Sequence, residues 1–328
     1  MKEGTHEMNK RILSLTLSAL ALPGLTAFAQ QEGTTPTQAL VLFSSKAPGG
    51  TVNTTDVTVK VDNRASNLLK LAPVPPNGAQ VAILIDDGLR TSIGGEMGNI
   101  RAFLNNLPQG TEVFVGYMQN GRVVSASETE SFSTDRAAVG KTLRLPTGLP
   151  GASASPYFCL SDFVKNWPAN AENQAVAQPQ QPTHKARFVL MITNGVDPYN
   201  GSTRITNQDS PYVNAAVTDA QRAGVAVYSI YYNDAGFGRG RGSFSGQSYL
   251  SQVAQGTGGT SYYLGTGNPV SLVPFLKNFQ SAISDTYVAT FPVESNKKMV
   301  SLKLSTSLAK TKINAPDLVR PGTIVLAQ

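Results

Sequence analysis

The chain has 328 residues, 41% hydrophobic and 15% charged, with 30 glycines and 20 prolines, a balance too apolar for general disorder. Its formal charge of +6 is mild, and no dense basic and aromatic patch marks it as a nucleic-acid binder. A single cysteine, Cys159, excludes an internal disulfide and is expected to be buried.

The chain-order reading begins with a targeting segment. Met8–Gln30 has a basic start at Lys10 and Arg11, an apolar run from Ile12 to about Leu25, and small residues at Ala27 and Ala29. That pattern predicts a signal peptide over residues 1–29, with Met1–Glu7 as an upstream extension, and a secreted or periplasmic product. Cleavage there leaves 24 basic and 19 acidic residues, a net +5 that reads as spread along the chain. No later stretch approaches the roughly 20 apolar residues of a membrane span.

Residues 30–37 are polar and Thr/Gly/Pro-rich and read as a flexible leader. Strand patterns at Ala39–Phe43 and Asp56–Asp62 define an N-terminal β segment over residues 38–78, closed by the Pro/Gly linker at Leu71–Gln80. From Val81 the pattern alternates between strands and helices. "VAILID", "ARFVLMIT" and "VAVYSIYY" are apolar throughout, as strands buried on both faces are. Ile93, Met97, Ile100, Leu104 and Leu107 mark one face of a helix that ends at Pro108 and Gly110. Thr111–Met118 and Arg122–Ser127, joined by Asn120-Gly121, form a hairpin. Helices are expected at Asp135–Leu143, Pro156–Trp167, Tyr212–Ala223, Gln247–Gln255 and Val270–Ser284, with a further strand at Thr260–Leu264. Ala171–Lys185 is a Gln/Pro/Ala surface insertion carrying His184, and Gly236–Gly246 is a loop carrying Arg239 and Arg241.

This alternation predicts a three-layer, doubly wound α/β domain over residues 79–285, with a mainly parallel sheet. Residues 286–328 read as a β tail that joins the N-terminal segment in a small β subdomain.

In order and spacing, "VAILIDDGLRTS", "TEVFVGYM", "GASASPYFCLSDF", "FVLMITNGVD", "AQRAGVAVYSI" and "LSQVAQGTGGTSYYL" resemble the von Willebrand factor A domain family. With its flanks, the chain is similar to a subgroup of exported bacterial A-domain-related proteins, many from Acidobacteria. The resemblance implies a divalent cation, generally Mg²⁺, held by an Asp-x-Ser-x-Ser loop, a threonine and a distal aspartate, which captures an acidic residue of a partner. Asp86 matches the first position. Gly88 and Arg90 stand where the two serines belong, Ser153 or Ser155 could serve for the threonine, and Asn194 replaces the distal aspartate. Asp86, Ser153 and Asn194 are thus the degenerate metal-ligand set, and Asp87, Arg90, Ser155 and Asp197 are candidates for partner contact. An inward Arg90 about 5 Å from a divalent ion would repel it by roughly 6 kcal/mol at an effective dielectric near 20. No cofactor is therefore expected. Two readings of Arg90 stay open. Either it bridges Asp86 to the "GASAS" or "TNG" loops in place of the metal, or it is solvated while Asp86 and Asp87 finish the strand and cap the helix.

The expected function is non-enzymatic binding of a protein or cell-surface ligand through loops at the carboxyl edge of the sheet. An envelope assembly factor using its β tail is the second reading, and a hydrolase built on Asp86, Asp87 and Asp197 the third. His184, in the Gln/Pro loop, is not expected to be catalytic. Binding through the top predicts an exposed apolar or charged patch near Arg90 and Asn194. Assembly through the tail predicts an unpaired edge near Tyr287–Val293.

Overall fold

The computed structural model describes residues 34–45, 52–149, 151–168, 183–197, 210–233, 242–265 and 267–325. The expected signal peptide, residues 171–182 of the Gln/Pro/Ala insertion, and Arg239 and Arg241 lie outside them.

In chain order, β1 (Thr35–Ser45), β2 (Val57–Val61), β3 (Arg64–Ser66) and β4 (Lys70–Pro73) precede β5 (Ala79–Asp86). Then come α1 (Met97–Asn106), β6 (Glu112–Gln119), β7 (Arg122–Ser125), α2 (Arg136–Lys141) and α3 (Pro156–Lys165). β8 (Thr183–His184), β9 (Ala186–Thr193), α4 (Pro211–Arg222), β10 (Val225–Tyr231), α5 (Gly242–Gly256), β11 (Ser261–Tyr262) and α6 (Val273–Ser284) follow. The tail is β12 (Thr286–Val293), β13 (Val300–Thr306), β14 (Thr311–Asn314), β15 (Leu318–Val319) and β16 (Ile324–Val325).

The central sheet runs β11-β10-β9-β5-β6-β7, parallel except for β7, which closes a hairpin on β6. Asn120 and Gly121 turn that hairpin at φ 48° and 76°, the left-handed pair that a two-residue connection needs. Alternate residues of β5 enter different cores. Val81, Ile83 and Ile85 pack with Ile100 and Phe103 of α1 and Phe279 of α6, while Ala82 and Leu84 pack with Leu160 of α3, Val213 of α4 and Leu250 of α5. A strand buried on both faces has no polar side to show, which is why "VAILI" does not alternate.

The helix expected from Ile93 is split. Thr91–Glu96 is a 3₁₀ turn and the α-helix starts at Met97, because Gly94-Gly95 supplies two poor helix formers at its entry. The five residues of its apolar face are nonetheless all buried. Buried Glu96 secures the junction, its Oε2 accepting from Asn99 (2.7 Å) and from the Leu272 N–H (2.9 Å) ahead of α6.

The two chain ends pair with each other in two further sheets, β14-β1-β12-β4 and β15-β13-β2-β3. Ala39, Val41 and Phe43 of β1 face Val59 and Leu302 of the outer sheet, and Leu40 and Leu42 face the α/β core. Along β1 the inner sheet is thus buried on both sides. Thr35–Thr37, expected in a flexible leader, already belong to β1, paired with Phe291–Val293. The leader reading overlooked that Thr and Pro are tolerated at the start of a strand.

His184 also departs from expectation. It lies in β8, which pairs with β16, and its imidazole covers Gly224 so closely that a Cβ there would come within 3 Å of the ring. Burial, reinforced by Arg187, pushes its pKa down to about 3, and Nδ1 lies 2.6 Å from the Lys185 carbonyl oxygen. The unfolded chain therefore binds a proton that the fold refuses between the ordinary histidine value of 6.5 and about 3. Stability is complete above that window and falls as pH drops through it, by at most about 1.4 kcal/mol per pH unit. Urea unfolding at pH 7, 5.5 and 4.5 checks this, because His184→Gln must flatten the slope. An unchanged slope would mean that His184 titrates normally.

Candidate functional site

Counted in chain order, the six strands of the central sheet run 3-2-1-4-5-6, so the order reverses between β5 and β9. Open sheets of this kind bind ligands outside the carboxyl ends of the two strands at that switch point. β5 ends at Asp86 and β9 at Thr193, and the loops after them carry most of the residues singled out from sequence.

Asp86 is 3% exposed and fully engaged. Its Oδ2 accepts from Thr193 Oγ1 at 2.7 Å, its Oδ1 from the Gly88 N–H at 3.0 Å, and Ser153 also donates to the carboxylate. Burial raises its pKa above the usual carboxylate value against these three donors, and the neighbouring Asp87 charge adds to the rise. Gly88 lets the chain pass close to the neighbouring loop, since a Cβ there would sit 3.1 Å from the Leu149 carbonyl oxygen and 3.4 Å from the Ala152 nitrogen.

Asp87, 1% exposed, points the other way. Its Oδ1 accepts from Arg144 Nη1 (2.7 Å) and the Thr147 N–H (3.1 Å), and its Oδ2 from Gln119 Nε2 (2.6 Å). Its backbone carbonyl accepts from Thr147 Oγ1 and the Gly148 N–H, at 3.0 and 3.1 Å. Burial alone would raise the Asp87 pKa, but Arg144, Thr147 and Gln119 together bring it below the usual value. The Arg144 guanidinium lies 3.8 Å from the Tyr117 ring centroid, and the Tyr117 hydroxyl donates to the Arg144 carbonyl while accepting from its N–H. One buried carboxylate thus ties the end of β5 to β6 and to residues 144–148.

The remaining candidates hold loops as well. Ser155 caps α3, accepting from the Tyr157 N–H, and Tyr157 Oη donates to the Gly195 carbonyl at 2.7 Å. Asn194 Oδ1 accepts from the Val196 N–H, and Asp197 accepts from Ser210, the cap of α4. Arg90 is exposed at the N-terminus of the 3₁₀ turn.

The bridge from Arg90 to Asp86 is not made. Thr193, Gly88 and Ser153 occupy Asp86, and the arginine that reaches the aspartate pair is Arg144, on Asp87. Nor does either aspartate cap the helix, whose entry has no side-chain cap. Direct partner contact through Asp87 or Ser155 is likewise corrected, because each is buried and bonded internally.

A hexacoordinate Mg²⁺ needs several oxygens with free lone pairs converging on one point. Here Asp86 already accepts from Thr193, Gly88 and Ser153, Asn194 Oδ1 accepts from the Val196 N–H, and Gly88 offers no oxygen. Among the described residues, no three His, Cys, Asp or Glu side chains are grouped to hold a metal. The donor set does not fit the ion.

No family model matches the chain, and no curated protein does. Among solved structures, the human COPII-coat protein Sec24c is 10% identical with a TM-score of 0.39, covering 77% of this chain. This chain spans 44% of that one. The SpRpn10 VWA domain is 11% identical with a TM-score of 0.37, over 63% of this chain and 97% of that domain. The pilus adhesin SpaC of Lactobacillus rhamnosus GG is 9% identical with a TM-score of 0.40, over 86% of this chain and 49% of SpaC. At these values the likenesses do not identify a family.

The clamp makes a quantitative prediction. Asp87→Ala strands three donors and should cost about 3 kcal/mol, whereas Arg144→Ala should cost about 1–1.5 because its side chain is 42% exposed. A double-mutant cycle by urea unfolding should give about 1 kcal/mol of coupling, and additivity within about 0.3 would show that the pair does not act together.

Proposed function

We propose that this is an exported, non-enzymatic binding module of the von Willebrand factor A type. It holds a protein or cell-surface partner by the loops at the carboxyl edge of its central sheet, and does so without Mg²⁺. The observation that carries the proposal is the division of labour at that edge. The polar groups beneath it are spent on holding loops, and the same loops present apolar side chains to solvent.

Leu145 and Leu149 are 51% and 66% exposed. They flank the clamped Thr147-Gly148 turn, which runs beside Arg90, and Leu145 packs over Gly94. Exposed leucines on an anchored loop, next to an arginine, suit an interface better than a loop free to fold them away. The reversed strand order and its antiparallel edge strand support the family assignment, and the Met8–Gln30 pattern supports export.

The two other readings have less support. Assembly through an open tail edge needs unpaired backbone near Tyr287–Val293, but β12 is paired with β1 over its whole length and with β4 over Tyr287–Thr290, which leaves only Phe291–Val293 outside the ladder on one side. A hydrolase on Asp86, Asp87 and Asp197 needs carboxylates facing a common substrate, and these three diverge.

Two measurements test the proposal. Retention on envelope preparations should fall at least tenfold for the Leu145→Ser/Leu149→Ser double variant and also fall for Arg90→Ala, with melting temperatures within about 2 °C of wild type. Undiminished retention would reject the surface. Millimolar MgCl₂ or EDTA should leave the melting temperature unchanged, and a Mg²⁺-dependent rise reversed by EDTA would reject the metal-free reading.

A further inference from the structure

The net charge is not spread along the chain. Among the described residues, the α/β portion (79–285) carries eleven Lys and Arg against eleven Asp and Glu and is neutral. The β portion (34–78 and 286–325) carries nine against four, a net +5. Seven of those nine are lysines.

Their placement has a centre. In the outer sheet the register sets Lys60 of β2 directly opposite Lys303 of β13. Val59, Val61 and Leu302 point into the sandwich, and Thr58, Lys60, Lys303 and Ser305 are exposed on the other face. Cross-strand partners lie only about 5 Å apart at Cβ, and like charges in that position destabilise a sheet. Among the described residues neither lysine makes an ion pair within 4 Å, although Lys303 lies close enough to Asp317 to offset part of the rise that burial gives that carboxyl's pKa. Lys303 reaches the neutral Asn63 amide oxygen at 3.1 Å, and the nearby acid Asp62 is taken by Lys297 at 2.7 Å. Lys297 and Lys298 are exposed in the loop entering β13, which also carries the exposed Glu294, while Arg64 of β3 stands opposite Val61, on the side away from Lys60.

We infer that this outer face is a docking surface for an anionic phospholipid bilayer. Charge complementarity names the ligand class, and the form of the face selects among anions. The paired lysines stand on an open sheet face, and the neighbouring cavity, lined by Asp62, Arg64, Glu294 and Lys297, carries both signs of charge and makes no uniformly basic track for a single polymer strand. The face's exposed residues include no aromatic on which a base could stack. Lysines act as hydrated, mobile point charges and suit a diffuse layer of headgroups, whereas bidentate recognition of one phosphate calls for arginine. By register the apolar residues on this face are Ala65, opposite Lys60, and the half-buried Leu318, opposite Ser301; one is too small and the other too covered to anchor the protein, so attachment is electrostatic and salt-sensitive. The surface differs from the loop edge proposed above, and the inner sheet separates it from the α/β core.

Co-sedimentation of the full chain with vesicles tests the inference. Wild type should bind vesicles containing 30% phosphatidylglycerol at 50 mM NaCl and release at 300 mM, and it should not bind pure phosphatidylcholine. Each lysine near an anionic membrane contributes about fivefold in partitioning, so Lys60→Glu, which removes two charge units, should weaken binding about 25-fold. That variant also replaces a repulsive cross-strand pair with an attractive one, so its melting temperature should be equal or higher, which separates lost binding from lost fold. Lys141→Ala/Lys277→Ala makes the same charge change on the neutral α/β portion and should bind as wild type does. Equal losses in the two variants, binding to phosphatidylcholine, or complete displacement by inorganic polyphosphate at matched phosphate concentration would each overturn the assignment.

Discussion

A carboxylate taken out of water must find donors, and Asp87 finds them on two distant stretches of chain. Gln119 comes from the end of β6, Arg144 and Thr147 from the segment between α2 and α3, and the backbone on both sides of the carboxylate joins in. An unpaired buried charge would cost several kcal/mol, so the loops are held in the arrangement that pairs it. Asp86 does the equivalent for β9 and the Ser153 loop with neutral donors, and its pKa moves up where that of Asp87 moves down. Two adjacent aspartates thus serve as two separate anchors, facing away from each other.

How much of this was legible in the sequence follows from the range of the interactions involved. The strands Ala186–Thr193 and Val225–Tyr231, the Asn-Gly hairpin and the buried face of α1 are written locally, in apolar runs, turn residues and a helical period. Asp86 and Ser153 could be named because they fall at strand and loop positions that the family resemblance marks. Arg144, Gln119 and Thr147 could not. They sit 57, 32 and 60 residues from their partner, in stretches with no motif, and only the folded chain brings them to it. Arg90 drew attention by being near in sequence, yet adjacency along a chain that turns at Gly88 sends it outward. Thr193 closes an apolar strand, where nothing in the sequence marks its hydroxyl as a donor to Asp86 at 2.7 Å.

The architecture also separates tasks by layer. The inner sheet, apolar on both faces, joins a neutral α/β body to a positively charged outer sheet. Pairing of the chain ends through β1 and β12 makes that joint part of one fold, with no flexible linker between the parts. On the readings proposed above, the molecule has one surface made of anchored loops and another made of charge alone, and the two answer to different solution variables. Salt screens the second and leaves apolar contact at the first largely intact.

Gly88 sets how much freedom the turn between the two anchors has. A Cβ there would stand 3.1 Å from the Leu149 carbonyl oxygen, 3.2 Å from the Asp86 carboxylate and 3.4 Å from the Ala152 nitrogen. A side chain at this position therefore asks its neighbours to give by a few tenths of an ångström, and one of those neighbours adjoins the residues that Asp87 holds. The two anchors are thereby linked through the space beside a single glycine: crowding felt at the turn after Asp86 is passed to the loop fixed by Asp87.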